Sequence, residues 1–316
     1  VVETFQSPPR YTHFADPVPQ SGEQPVHVLA AGLHRIVKAL AQGSHYASTG
    51  KLPFIPGIDG VGRLDDGRRI YFGGVRAPFG TFAERAVATE AFILPLPDAI
   101  TDATAAAISN PAMSSWVALS ARAQFTAGES VLILGATGTS GQLAVQIARR
   151  RGARHIVAAG RNPKALARTR SLGADVTISL EQPHENLVAA FRNEIAEHGA
   201  DVVLDYLWGS PAEALLAAIA QKGPSHAVPR IRYVQIGGSA GANLTLPAAT
   251  LRSSGLELLG SGFGSASLPE IIAAIRDFFA EAARSPFEIA VKSFPLRDVE
   301  RVWNQPATGE RIVFLP

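Results

Sequence analysis

The 316 residues include no cysteine. Disulfide bonds, thiolate catalysis and cysteine-ligated zinc are excluded by that absence. Charge is sparse as well: charged residues are 18% of the chain, and 29 Lys and Arg against 27 Asp and Glu leave a formal net charge of +2. The basic residues are scattered, so no nucleic-acid partner is expected. No uninterrupted apolar run is long enough to span a bilayer, and no signal-peptide pattern follows Val1. A cytoplasmic protein without a membrane partner is therefore expected. Internal repeats and low-complexity tracts are also missing. What the chain does have is 47% hydrophobic residues, enough for a sizeable core and two domains.

Its most informative segment is a strand-like run, Ser130 to Leu134, that empties into Gly135-Ala136-Thr137-Gly138-Thr139-Ser140-Gly141 and then into a helical pattern. A glycine turn leading into a helix N-terminus lets a pyrophosphate approach bare backbone N–H groups and the positive end of the helix dipole. Glycine clusters also mark ordinary turns, so the setting matters. Leu143, Ala144, Ile147 and Ala148 fall on one helix face, Arg149-Arg150-Arg151 close the last turn, Gly152 stops the helix, and His155 to Ala159 reads as a second strand. This is one βαβ unit with a nucleotide site. Thr137, Gly138, Thr139, Ser140 and Gly141 are its candidate phosphate contacts.

In such units an acidic residue at the end of the second strand bonds the 2′-hydroxyl of NAD. Here that strand runs into Gly160-Arg161-Asn162, with Lys164 soon after and no carboxylate in the slot. Gly160, Arg161 and Lys164 suit the 2′-phosphate of NADP(H) instead, Arg161 as a fork and Lys164 as a point charge. The plainer reading makes both cations solvated residues opening the next helix, a position that opposes its dipole.

The pattern along the chain predicts an α/β protein. Residues 1 to about 107 are rich in Pro and Gly, with short β-type runs at Val26–Ala30, Arg69–Phe72 and Phe82–Val87 and turn signals at Asp65-Asp66-Gly67 and Phe72-Gly73-Gly74. From Ala112 strands and helices alternate. The later strands are expected at Val176–Ile178, Val202–Asp205, Tyr233–Ile236 and Leu256–Leu259, and the helices near Pro163–Leu172, Asn186–His198, Pro211–Ala220 and Leu268–Ala283. Six such strands predict a Rossmann doubly wound parallel sheet over residues 112–283. A mostly antiparallel β domain takes residues 1–111, completed by 284–316 with strands at Val291–Phe294 and Ile312–Leu315.

Together these residues resemble the medium-chain dehydrogenase/reductase superfamily, and within it the zinc-free quinone oxidoreductase (zeta-crystallin-like) branch. The carriers are Leu52-Pro53-Phe54-Ile55-Pro56-Gly57-Ile58-Asp59-Gly60-Val61-Gly62, Gly80-Thr81-Phe82-Ala83-Glu84, Gly128 to Ile133 running into Gly135, Gly138 and Gly141, Leu172-Gly173-Ala174-Asp175, and Gly309 to Val313. The resemblance implies a GroES-like β domain beside the Rossmann domain and hydride transfer from NADPH to a quinone or an α,β-unsaturated carbonyl. It also implies a homodimer, joined through an edge strand at Leu256–Leu259. The family's zinc enzymes carry histidine where Ile58 stands and cysteines at other ligand positions, so no metal is expected here. His34 and Val37 replace an asparagine and an aspartate common in relatives, and the stretch from Gly62 to Arg69 is short.

The resemblance also implies site residues. Tyr46 is similar to a tyrosine that approaches substrate and is the candidate catalytic group, bonding a carbonyl or donating a proton; packing at a domain edge is the alternative. His34 is a candidate substrate contact, as are Met113, Trp208 and Phe263, while His45 reads as a solvated or capping histidine. Asn110 and Ser114 resemble a segment that faces the nicotinamide, with Pro111 as a hinge-like join. Leu207 after the fourth strand, Ile236 and Gly237 after the fifth, and Gly262 and Phe263 after the sixth sit where open α/β sheets bind cofactor; core packing is the alternative for the aromatics. Asp59 is expected to bond nearby backbone amides.

Other readings differ in class. A short-chain dehydrogenase would need a Tyr-x-x-x-Lys pair, but Tyr46, Tyr206 and Tyr233 are followed four residues on by Gly50, Ser210 and Gly237. A trans-2-enoyl thioester reductase on the same fold, or a non-catalytic NADPH-binding protein, would keep every motif named above.

Overall fold

The structure, a computed structural model, describes residues 1–220, 229–306 and 309–316. In chain order its first elements are β1 (Glu23–Gly32), α1 (Arg35–Ala41), β2 (Asp59–Arg63), β3 (Arg69–Gly73), β4 (Arg85–Thr89), β5 (Ile93–Pro95) and α2 (Asp102–Val117). Then follow β6 (Ser130–Leu134), α3 (Thr139–Arg150), β7 (His155–Gly160), α4 (Pro163–Ser171), β8 (Val176–Ser179), α5 (His184–His198), β9 (Val202–Asp205) and α6 (Gly209–Ile219). The last are β10 (Arg230–Gln235), α7 (Ala248–Arg252), β11 (Gly255–Gly260), α8 (Leu268–Arg284), β12 (Val291–Pro295), α9 (Val299–Trp303) and β13 (Arg311–Leu315). No helix among the described residues is long and apolar enough to cross a membrane.

The chain divides into two compact units, Val1–Pro111 with Ile275–Pro316, and Ala112–Ala274. In the first, strands run in the order β12-β13-β1-β2-β3-β5, with β4 also paired to β1. Only the β12–β13 pair is parallel; the remaining pairs are antiparallel. Gly67, in the left-handed region at φ 87°, makes the β2–β3 turn and donates to the Leu64 carbonyl at 2.9 Å. The expected Phe82–Val87 strand begins later, at Arg85. Thr81 and Phe82 instead hydrogen-bond through their backbone to Gly57 and Pro56, and the Phe82 ring packs edge-on against Phe314 at 5.2 Å. This unit also claims the C-terminal half of α8, where Phe278 and Phe279 are buried and Phe279 meets Tyr71 edge-on at 5.4 Å.

The second unit is a parallel sheet in the order β11-β10-β9-β6-β7-β8. All five residues of β6 are buried, as a central strand covered on both faces requires. Strand order reverses around β6, which pairs with β7 on one side and β9 on the other. That reversal opens a crevice at the carboxyl ends of β6 and β9, where such sheets take ligands. Pro111, expected to mark a hinge, lies inside α2.

Candidate nucleotide-binding site

The turn after β6 is built by close approach. Gly135 has φ 87°, and its N–H and that of Ala136 both reach the Ala159 carbonyl of β7, each at 2.9 Å. A Cβ on Gly141 would stand 2.3 Å from the Gly135 carbonyl oxygen and 2.5 Å from Ala136 Cα, so only glycine lets the first turn of α3 lie on the loop. At Gly138 the nearest such neighbour is 3.6 Å away, which leaves the outer face of the loop bare. Gly138 is the N-cap and offers no side-chain acceptor, and α3 has no acidic residue in its first turn. The leading N–H groups of α3 therefore lack a capping partner and present the positive end of the dipole. This cradle fits a pyrophosphate.

One strand over, Gly160 closes β7. A Cβ there would meet Thr137 Cγ2 at 2.4 Å, so glycine is what brings the loop against the strand end. Asn162 caps α4 by accepting from the Ala165 N–H at 3.0 Å, and Pro163 opens the helix. Capping is thus done without Arg161 and Lys164. Both are exposed, and neither pairs with a carboxylate among the described residues. Two cations beside a slot that carries no acid fit a phosphate monoester on the ribose.

The end of β9 forms the opposite wall. Asp205 is fully buried, and burial raises its carboxyl above the usual range. Hydrogen bonds oppose that rise: Oδ1 accepts from the N–H groups of Leu207 at 2.7 Å and Trp208 at 3.0 Å, and Oδ2 accepts from the Tyr233 hydroxyl at 2.8 Å. Trp208 is held at φ 58°, an unusual conformation for a large residue. The turn brings Leu207 to the glycine loop, since a Cβ on Gly135 would lie 3.0 Å from Leu207 Cδ2. Gly237, after β10, would likewise place a Cβ 2.9 Å from the Tyr206 carbonyl oxygen. Trp208, Gln235, Gly238, Gly241 and Leu258 line an open depression of about 420 Å³. Ile236 is half-buried beside it in sequence, whereas Gly262 and Phe263 are exposed.

Tyr206 follows the fourth strand but is not among the candidate site residues named from sequence, yet its hydroxyl is 2.8 Å from Ser115 Oγ and also bonds Ser114. Desolvation pushes that phenol up to about 12, so at neutral pH it orients the serines rather than giving up a proton. Met113 and Ser114 lie half-buried on α2 in this unit, and Asn110 precedes them on the same helix. A second group also escapes sequence reading: His155, Glu194 and His198 converge at the start of β7. The separation of Glu194 and His198, one helical turn, is visible in the chain; the approach of β7 is not.

In the first unit, His34 is only 2% exposed. The ring of this candidate substrate contact lies with Nε2 at 3.6 Å from Asp59 Oδ1. Asp59 bonds no backbone amide with its carboxylate; Oδ2 accepts from the buried Tyr71 hydroxyl at 2.7 Å, because β2 and β3 set the two residues diagonally across one face. Ile58 packs on the apolar cluster around Phe82 and Trp303 and has no donor atom for a metal. The family's zinc therefore does not fit these residues. Tyr46 is 72% exposed, with its ring 4.3 Å from that of His45.

Comparison with known proteins agrees with this geometry. Residues 141–280 match the zinc-binding dehydrogenase family. The chain is 31% identical over 359 aligned positions to a probable NADPH-dependent quinone reductase of Emericella nidulans, covering 100% of this chain and 99% of that one. It is 30% identical over 233 positions to a mycocerosic acid synthase-like polyketide synthase of Mycobacterium tuberculosis, across 69% of this chain and 10% of the larger protein. Among solved structures, the quinone oxidoreductase of Thermus thermophilus, also described with NADPH, superposes with a TM-score of 0.79 at 26% identity over 100% of this chain and 98% of its own. A relative matched end to end at this identity, together with the likeness in fold to a solved quinone oxidoreductase, places the chain in the medium-chain dehydrogenase/reductase superfamily, among its quinone oxidoreductase-like members.

Proposed function

We propose that the protein is a cytoplasmic, zinc-independent oxidoreductase that uses NADP(H) to reduce a quinone or an α,β-unsaturated carbonyl compound. The observation that carries this reading is the bare glycine loop ending beside Arg161 and Lys164, with no carboxylate where NAD would need one. The end-to-end likeness to a protein named as an NADPH-dependent quinone reductase supports it.

When bound, NADPH supplies a hydride. The chain's own residues then have to seat the phosphates, hold the nicotinamide and receive a flat acceptor. Thr137 to Gly141 seat the pyrophosphate, and Gly160, Arg161 and Lys164 take the 2′-phosphate. Leu207, Ile236, Gly237, Gly262 and Phe263 border the remainder of the cofactor with Asn110 and Ser114, while Tyr206 fixes Ser114 and Ser115. Met113 and Trp208 contribute to the substrate surface. With Ile58 in the metal-ligand position, no Lewis acid polarises the carbonyl, and Tyr46 is the proposed hydrogen-bond or proton donor to the developing oxyanion.

A panel of quinones, enones and enoyl thioesters, assayed by NADPH loss at equal enzyme concentration, tests the proposal. Turnover confined to thioesters supports the second reading, an enoyl thioester reductase, which the likeness to a polyketide synthase favours. No turnover with any acceptor, despite NADPH binding, would defeat both. We further propose a homodimer built on β11. It is an edge strand of the parallel sheet, and Leu258 on it is 40% exposed; unpaired edges invite a second chain.

A further inference from the structure

We propose that His155, Glu194 and His198 form a divalent metal site that clips β7 to α5, suited to Zn²⁺ and the related borderline ions Co²⁺ and Ni²⁺. His155 is the first residue of β7, and Glu194 and His198 are four residues apart on the last turn of α5. Glu194 Oε1 lies near both rings, 2.5 Å from His155 Nε2 and 4.0 Å from His198 Nε2. The imidazoles are stacked, with centroids 4.1 Å apart and planes at 28°. All three ligand atoms lie within 4.8 Å of one another. Tetrahedral zinc with bonds of about 2.0–2.2 Å holds its ligand atoms about 3.3–3.6 Å apart. The two observed spacings straddle that range, so small side-chain rotations suffice.

The surroundings favour a cation. Side chains of His155 and Glu194 are each 13% exposed, whereas His198 is 35% exposed and leaves a way in from solvent. Asp175 Oδ2 lies 3.9 Å from His155 Nδ1, anchored there by Arg149 and by the Ile156 N–H. A carboxylate behind the second ring nitrogen is the usual outer support of a metal-bound histidine. Glu197 approaches His198 Nε2 at 3.5 Å, and the negative end of the α5 dipole points the same way. Two neutral imidazoles and a carboxylate leave one negative charge for the ion to offset, with a water completing the coordination.

The group stands at the start of β7, while the glycine loop contacts its far end at Gly160. Five strand steps separate them, roughly 16 Å. The ion is therefore a structural clip, remote from hydride transfer, and it binds the folded chain only.

Metal-stripped full-length protein titrated calorimetrically with Zn²⁺, and with Co²⁺ followed by visible absorption, tests this. One equivalent should bind, the melting temperature should rise, and NADPH affinity should stay unchanged. His198→Ala, the most exposed position, and Glu194→Gln should each weaken binding by more than about 100-fold, beyond the cost of losing an outer partner, while still binding NADPH. The proposal is overturned if the wild-type chain takes up neither ion stoichiometrically, or if folded His198→Ala binds as tightly as wild type. If Glu194→Gln fails to bind NADPH, the result is read on His198→Ala.

Discussion

Tyr233 donates its hydroxyl to Asp205 Oδ2 at 2.8 Å, joining the middle of β10 to the end of β9 beneath the turn that carries Trp208. The same carboxyl holds the N–H groups of Leu207 and Trp208, so one buried acid sets the position of the wall facing the glycine loop. Asp205→Ala would strand three donors. At about 1–3 kcal/mol for each buried unsatisfied group, partly relieved by relaxation, it should cost about 2–5 kcal/mol in chemical denaturation.

The charge of Asp205 has a pH consequence. Burial raises its folded pKa above the ordinary aspartate value. Between the two values the folded chain keeps a proton that the unfolded chain has released. Its stabilising contribution is complete below the unfolded pKa and is lost as pH rises through the folded one. Asp205→Asn keeps an acceptor for the turn and removes the titration. The stability of wild type relative to this variant should therefore fall as pH climbs above about 4; a constant difference would refute the assignment.

Cofactor choice rests on Arg161. Arg161→Ala should weaken NADPH by on the order of 1.5–3 kcal/mol, the worth of a charge-assisted hydrogen bond, and leave NADH nearly untouched. Fluorescence titration with both cofactors measures this, and equal losses would remove the arginine from the 2′-phosphate site.

Tyr46→Phe separates chemistry from binding. A proton donor in the rate-limiting step contributes about 10²–10⁴-fold, so kcat should drop while the NADPH dissociation constant holds. An unchanged kcat would leave Tyr46 as a surface residue.

Exhaustive chelation should leave turnover intact, because Ile58 gives the reaction no metal ligand. With the His155 site emptied, the melting temperature should fall. Loss of activity on chelation at a temperature where the protein stays folded would contradict zinc-independent catalysis.

The dimer is tested by Leu258→Pro, which removes an amide donor from the β11 edge and restricts its backbone. Light scattering should report a dimer for wild type and a monomer for the variant. A wild-type monomer at micromolar concentration would count against the interface.

Much of this is legible in sequence because the signals are local. Most strands of the parallel sheet come from short apolar runs that end at Gly or Asp, and β6 to α3 is written in consecutive residues. What escapes depends on residues that meet only after folding. Sequence makes His34 a candidate substrate contact, and only the fold shows it buried with Nε2 near Asp59 Oδ1, whose other oxygen takes the Tyr71 hydroxyl. Tyr206 finds Ser115 across 91 residues, and His155 finds Glu194 across 39. Neither distance carries a period that propensity or alternation could expose.

Gly138 and Gly141 sit three residues apart in one loop but answer to different demands. Gly141 is pinned by backbone at 2.3 Å, whereas the space facing Gly138 is open to 3.6 Å. A descendant that gave up nucleotide binding would still have to keep Gly141 in order to fold, and it would be free to drift at Gly138. Of the two, Gly138 is the position whose replacement would record a change of occupation.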